Sequence, residues 1–237
     1  FSPAIAGSQV ASFGCTCFQK SLTALNSRHE VVGADPNGYT QWAEWGYPKT
    51  LVAYRLKSIC MDWNEWKWIY EEILRDFGFE RGKDEEAARI LNEFLMLRDE
   101  KVNIERLIRG REVLVCGDGP SLKYEISLLD SKRGKTFIAA DGATSTLLAR
   151  DIIPHIIVSD LDGNMDDILY ANKMGAAIVV HAHGDNIATL KKFVPKLRNI
   201  IGTTQTEPFG KLFNFGGFTD GDRCVFLAKE LGAANIT

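Results

Sequence analysis

The stretch HIIVSDLDGN, His155–Asn164, carries two carboxylates with the spacing of a metal site. Its apolar run, Ile156 to Val158, reads as a buried strand that ends in Asp160-x-Asp162 followed by glycine. Residues i and i+2 of a strand share a face, so both carboxylates are expected to converge at the strand's carboxyl end. Open α/β sheets bind ligands at that end. Two carboxylates at one spot repel each other unless a cation neutralises them, and hard oxygen donors suit Mg²⁺. The alternative is an ordinary solvated turn, for which Asp and Gly are equally suited.

Other loops carry the same kind of residue. TFIAA ends at Asp141-Gly142, and AIVVH runs into HAHGDN, which brings His181, His183 and Asp185. The last loop, Phe215 to Arg223, adds Asp220, Asp222 and Arg223 ahead of a helix. EVLVC leads into Gly117-Asp118-Gly119-Pro120-Ser121. Glycines there let backbone approach a phosphate, and the next helix offers unpaired N–H groups. This loop is neither a G-x-G-x-x-G fingerprint, since Leu122 takes the sixth position, nor a Walker loop, since no G-K-[ST] follows. A tight strand-to-helix turn uses the same residues. Four strand ends rich in Asp and Gly at one sheet edge point to a functional cleft. His181 and His183 with Asp185 also admit a zinc reading, but the surrounding acids favour an oxygen-rich Mg²⁺ site.

The elements that must position these residues follow from periodicity. Asp62 caps a helix in which Trp63, Trp66, Tyr70, Ile73 and Phe77 recur at helical spacing, and Gly78 stops it. A second helix is expected from Asp84 to about Leu97 and a short third through Ile104–Ile108. The aromatic stripe of the first helix reads as core. After Gly110 the pattern changes to strands at 112–116, 136–140, 155–159, 177–181 and 199–202, with a sixth at 211–215. Helices are expected at about 120–129, 143–150, 166–174, 186–193 and 220–231. This alternation specifies an α/β fold: a mostly parallel sheet flanked by helices and preceded by a small helical segment. The expected organisation is an N-terminal extension at 1–60, a helical segment at 61–110 and an α/β catalytic domain at 111–237. The sheet is expected to lack its C-terminal strands, because the chain stops where another strand would begin. Met61 looks like a natural start, and the aromatic cluster from Tyr39 to Tyr47 reads as core.

Composition bounds the partners. The chain has 237 residues, 45% of them hydrophobic and 25% charged, with a net charge of −3. No basic run points to nucleic acid, and no apolar run is long enough to span a bilayer. Five cysteines without framework spacing suggest a reducing, cytoplasmic setting. Cys15-x-Cys17 lacks the second pair that a metal or redox site needs. Whether the chain forms a homo-oligomer is open.

Five segments in order, VCGDGPSLK, IAADGATSTLL, PHIIVSDLDGN, VVHAHGDN and GGFTDGDR, resemble the archaeal 6-hydroxymethyl-7,8-dihydropterin pyrophosphokinase family. Its relatives, the thiamin pyrophosphokinases, have a catalytic domain with similar A-D-G and G-D-x-D-S elements. The resemblance covers Met61 to Thr237 and leaves out Phe1–Cys60. It implies a thiamin-pyrophosphokinase-like catalytic domain that moves diphosphate from ATP to a pterin's hydroxymethyl group. AMP is released, Mg²⁺ is required, and the setting is tetrahydromethanopterin or folate-type biosynthesis. It further implies that Asp141, Asp160 and Asp162 hold Mg²⁺ and that Asp185 is a further catalytic acid. Thr219-Asp220 competes with Asp185 for that last role, because Gly184 stands where the relatives carry Thr. On this reading Asp141 or Asp185 accepts the substrate proton. Gly117, Gly119 and Ser121 line the nucleotide side, Arg223 or Lys123 steadies the α- or γ-phosphate, and Asp220 stands among the nucleotide-binding residues. Absence of the relatives' small β-sandwich domain favours a pterin over thiamin. IIVSDLDGN is also similar to the first motif of haloacid-dehalogenase-type phosphatases, with Asp160 as nucleophile and Asp162 as general acid. Asn164 replaces the Thr of that motif, and too little chain follows for the later ones. A non-catalytic nucleotide-binding module with the same acids is the third reading.

Overall fold

The computed structural model describes residues 61–99, 102–129 and 131–237. The extension at 1–60, with Cys15, Cys17 and the Tyr39–Tyr47 cluster, lies outside the described residues.

The strands are β1 (Glu112–Cys116), β2 (Lys135–Ala140), β3 (Ile156–Ser159), β4 (Ala177–Ala182), β5 (Ile200–Thr204), β6 (Leu212–Phe213) and β7 (Asn235–Ile236). They form one sheet in the order β6-β5-β4-β3-β2-β1-β7, and every pairing is parallel. The helices are α1 (Trp63–Phe77), α2 (Arg81–Met96), α3 (Glu105–Ile108), α4 (Leu122–Ser127), α5 (Ala143–Leu148), α6 (Met165–Lys173), α7 (Ile187–Phe193) and α8 (Asp220–Glu230). This is the expected α/β fold, with element bounds close to those read from periodicity. The sixth strand is shorter than expected, and Gly216 and Gly217 take positive φ in the loop that follows it. Residues 235–236, where a further strand was expected, pair with β1.

Continuous apolar runs in β2, β3 and β4 arise because both faces of the sheet are covered. Alternate residues separate into two cores. Phe137, Ala139, Ile157, Ile178 and Val180 share one with residues of α2, α4, α5, α6 and α7. Ile138, Ile156, Val158 and Val179 share the other with residues of α3 and α8.

Local sequence explains the two leading helices. The Asp62 carboxylate caps α1 by accepting from the Asn64 amide at 2.9 Å, and Gly78 ends it at φ 69°. Trp66, Tyr70 and Ile73 form its buried face and pack with Met61 and Phe226. Helix α2 buries Ala87, Ala88, Leu91 and Leu95 against β4, β5 and α7. The segment ahead of the first strand therefore covers the sheet beside the ends of β4 and β5. No described helix is long and apolar enough to cross a membrane.

Leu91 is fully buried in the core between α2 and the sheet. Leu91→Ala is expected to cost roughly 2–5 kcal/mol in urea unfolding, the usual range for a buried Leu truncation. A loss below about 1 kcal/mol would contradict this packing of α2.

Candidate active site

Three acids meet at the carboxyl edge of the sheet. Asp141 follows β2, Asp160 follows β3, and Asp220 opens α8, which crosses the opposite face from α4–α7. One oxygen from each lies within 4.8 Å of the others, the only such metal-capable group among the described residues. Asp141 adopts φ +33°, its amide bonded to the Val158 carbonyl at 2.8 Å and its carboxylate accepting from Ser159 Oγ. Gly163 permits this approach: a Cβ there would stand 2.0 Å from Asp141 Oδ2.

Asp162 stays in contact with Asp160 and Asp141, but the backbone between the two acids is not regular strand. β3 ends at Ser159, and Leu161 takes a left-handed φ of +68°, its amide held by Ser159 Oγ at 2.8 Å. Asp160 is therefore partly buried in the cluster, whereas Asp162 is exposed beside it, against Asp160 and Asp141. Asp185 is also exposed and stands outside the three-acid group. Gly117, Gly119, Ser121 and Lys123 are exposed beyond β1. Between them, Asp118 accepts from Thr146 Oγ1 at 3.1 Å.

The acids oppose one another's ionisation. Burial, reinforced by the charges of Asp160 and Asp141, pushes the Asp220 carboxyl up to about 7, although Arg223 Nη1 lies 3.0 Å from Asp220 Oδ1. Burial and contact with Asp160 likewise lift Asp162 to about 7, and burial raises Asp141. Burial acts on Asp160 in the same sense. Hydrogen bonds with His183 Nε2, at 2.9 Å, and with Asp162, together with the nearby Arg223 charge, outweigh it and hold Asp160 at about 2. Asp160 Oδ1 is buried without a hydrogen-bond partner. An orphan oxygen among mutually repelling carboxylates fits a hard divalent cation. Neither histidine joins the three-acid group: His181 is buried on Thr203 Oγ1 at 3.0 Å with its Nε2 unpartnered, and His183 is engaged with Asp160.

Sequence reasoning missed Asp84. It is 4% exposed and accepts from Tyr70 Oη at 2.5 Å, Gln205 Nε2 at 2.7 Å and the Gly184 amide at 2.7 Å. Trp66 Nε1 donates to the Gln205 carbonyl at 2.8 Å, and Gln205 Oε1 accepts from Arg223 Nη2 at 3.4 Å. Arg223 in turn pairs with Asp220, so hydrogen bonds run from α1 and α2 through the end of β5 to the acid cluster. The signal was present in the sequence, because an acid at 84 shares a helix face with Ala87, Ala88, Leu91 and Leu95. Beside this network lies a cavity of about 370 Å³, bounded by Phe79, Asp84, Asp160, Asp185, Phe218 and Asp220 among others.

Residues 89–237 match the family model described as 6-hydroxymethylpterin diphosphokinase MptE-like. The chain belongs to this family. Three relatives, each a 6-hydroxymethyl-7,8-dihydropterin pyrophosphokinase, come from archaea. The protein of Methanothermobacter thermautotrophicus is 49% identical over 181 residues, 74% of this chain and 76% of the relative. That of Methanocaldococcus jannaschii is 46% identical over 191 residues, 74% of this chain and 78% of the relative. That of Pyrococcus furiosus is 47% identical over 178 residues, 74% and 76% respectively. The MptE-like match takes in Asp141, Asp160 and Asp220, while Tyr70, Phe79 and Asp84 precede it.

The raised acids have a linkage consequence. Asp162 and Asp220 titrate near 7 when folded, against about 4 unfolded, so their contribution to stability declines as pH climbs between those values. His155 and His181, lowered chiefly by burial, work oppositely and cost stability below about pH 6.5. The difference with and without a divalent cation isolates the acids. A cation at about 100 times its Kd should add about 2.7 kcal/mol, or roughly 5–10 °C in Tm, at pH 8, and much less at pH 5. Equal shifts at both pH values in differential scanning fluorimetry would contradict the site.

Proposed function

We propose that this protein transfers diphosphate from ATP to the hydroxymethyl group of 6-hydroxymethyl-7,8-dihydropterin, releasing AMP. Membership of the MptE-like family carries the choice of reaction. The grouping of Asp141, Asp160 and Asp220 supports a metal-assisted transfer on the triphosphate. Held by these three acids, Mg²⁺ supplies charge neutralisation for the phosphates.

The remaining roles belong to side chains. The pterin hydroxyl oxygen bonds to the β-phosphorus, and the bond from that phosphorus to the α–β bridging oxygen breaks. AMP leaves with the electron pair, and the hydroxyl proton passes to a carboxylate. Asp185 fits that last task. Of the acids lining the cavity, Asp160 and Asp220 belong to the cluster, Asp84 has both oxygens engaged, and Glu80 pairs with Lys83 at 3.3 Å. Arg223 holds Asp220 in place, and Asp162 at the cluster's edge offers a further oxygen ligand. Gly117, Gly119, Ser121 and Lys123 take the nucleotide side, at the exposed end of β1. Cys116 and Cys224 are free and buried, which suits an enzyme of the reducing cytoplasm.

The direct test is chromatography of reactions holding the protein, ATP and Mg²⁺ with 6-hydroxymethyl-7,8-dihydropterin, and with thiamin in a parallel tube. AMP and pterin diphosphate should appear in equal amounts. AMP with thiamin alone would replace the acceptor, and AMP in neither tube would overturn the reaction. Asp141→Asn, Asp160→Asn and Asp220→Asn should each lower kcat on the order of 10³-fold with the fold intact by circular dichroism. Full turnover in any of them would remove that residue from the metal site.

A further inference from the structure

The cavity beside the acid cluster has an aromatic part that the reaction above does not use. Phe77, Phe79 and Phe218 stack together. Ring centroids lie 5.6 Å apart for Phe77 and Phe79, 6.0 Å for Phe77 and Phe218, and 6.2 Å for Phe79 and Phe218. Phe79 and Phe218 both line the cavity, and Phe79 remains 44% exposed despite this packing.

Backbone features set both rings. The Phe79 amide bonds to the Leu74 carbonyl at 3.0 Å, as does that of Gly78, so the terminus of α1 fixes where Phe79 stands. Phe218 follows Gly216 and Gly217, both at positive φ, and a Cβ on Gly217 would meet the Arg223 amide nitrogen at 2.8 Å. Its own amide is held by the Asp222 carboxylate at 3.0 Å. Two stacked aromatics at a cavity wall are suited to a flat heteroaromatic ligand.

Strand order decides which substrate that is. The cavity takes its lining from the ends of β3, β4 and β5, from the start of α8 and the loop before it, and from the α1–α2 turn and the start of α2, with no residue from β1 or β2. Gly117 to Ser121 lie at the end of β1, and Asp141 at the end of β2 lies between them and the cavity along the strand order. The cavity and the Gly117–Ser121 loop thus lie on either side of Asp141. Asp160 and Asp220 line the same cavity as the rings, as a hydroxymethyl group carried by a bound ring requires.

We propose that Phe79 and Phe218 form the pterin subsite, with the nucleotide on the β1 side of the acids. The assignment rests on the diphosphate-transfer reading, and the experiment separates the two. Binding of 6-hydroxymethylpterin, followed by its own fluorescence in the presence of Mg²⁺ and α,β-methylene ATP, is measured alongside steady-state turnover. Phe79→Ala and Phe218→Ala should each raise the pterin Kd roughly tenfold or more, while the KM for ATP stays within about twofold. Phe79→Trp, which keeps an aromatic surface, should bind pterin within about threefold of the parent. Thermal melts establish that each variant is folded. An unchanged pterin Kd in both alanine variants, or a rise in the KM for ATP instead, overturns the subsite. Weakened pterin binding in the variants of a parent that releases no AMP supports the subsite and overturns the reaction alone.

Discussion

Repulsion among carboxylates that the fold forces together is the constraint on which the rest of the site depends. Asp141, Asp160 and Asp220 come from three separate segments and are all partly buried, where like charges cannot all remain ionised without compensation. The protein supplies part of that compensation itself, through Arg223 on Asp220 and His183 on Asp160. The rest shows as raised carboxyl groups at Asp141, Asp162 and Asp220. The scaffold holds these acids together, since they would separate if the loops were free to move.

The scaffold achieves this with positions that resist substitution. Asp141 and Leu161 adopt positive-φ backbone conformations uncommon for residues with side chains, the first within the cluster and the second beside it. Gly163 passes so close to Asp141 that no side chain fits. Behind them, Asp84 gathers Tyr70, Gln205 and the Gly184 amide into one buried set of hydrogen bonds. Truncating such an acid would orphan three buried donors, each costing about 1–3 kcal/mol. The helices that precede the first strand thus support the site as well as covering the sheet. Their turn also contributes Phe79 to the cavity.

Much of the fold was legible in the sequence because its signals are local. Apolar runs marked β1 to β5, helical spacing and Gly78 marked α1, and the alternation of the two implied parallel pairing. Several chemical residues were legible for a related reason: each sits next to a strand end or a helix start, and in a parallel sheet those ends share an edge. Asp84 escaped notice because a buried acid on an apolar helix face was read as part of a helix start. Phe79 and Phe218 escaped because nothing local distinguishes a stacking aromatic from a core one.

The sequence by itself determined the order of strands and helices, the two-faced core and the set of acids available at one edge. These depend on the hydrophobicity and spacing of near neighbours along the chain. Only the tertiary structure decided which acids meet. Asp220 arrives on a helix from the opposite face of the sheet, and the left-handed Leu161 leaves Asp162 more exposed than Asp160 while the two acids stay in contact. Convergence of that kind depends on strand order, on which face each helix crosses and on the backbone at single residues. None of these is a property of neighbours in sequence.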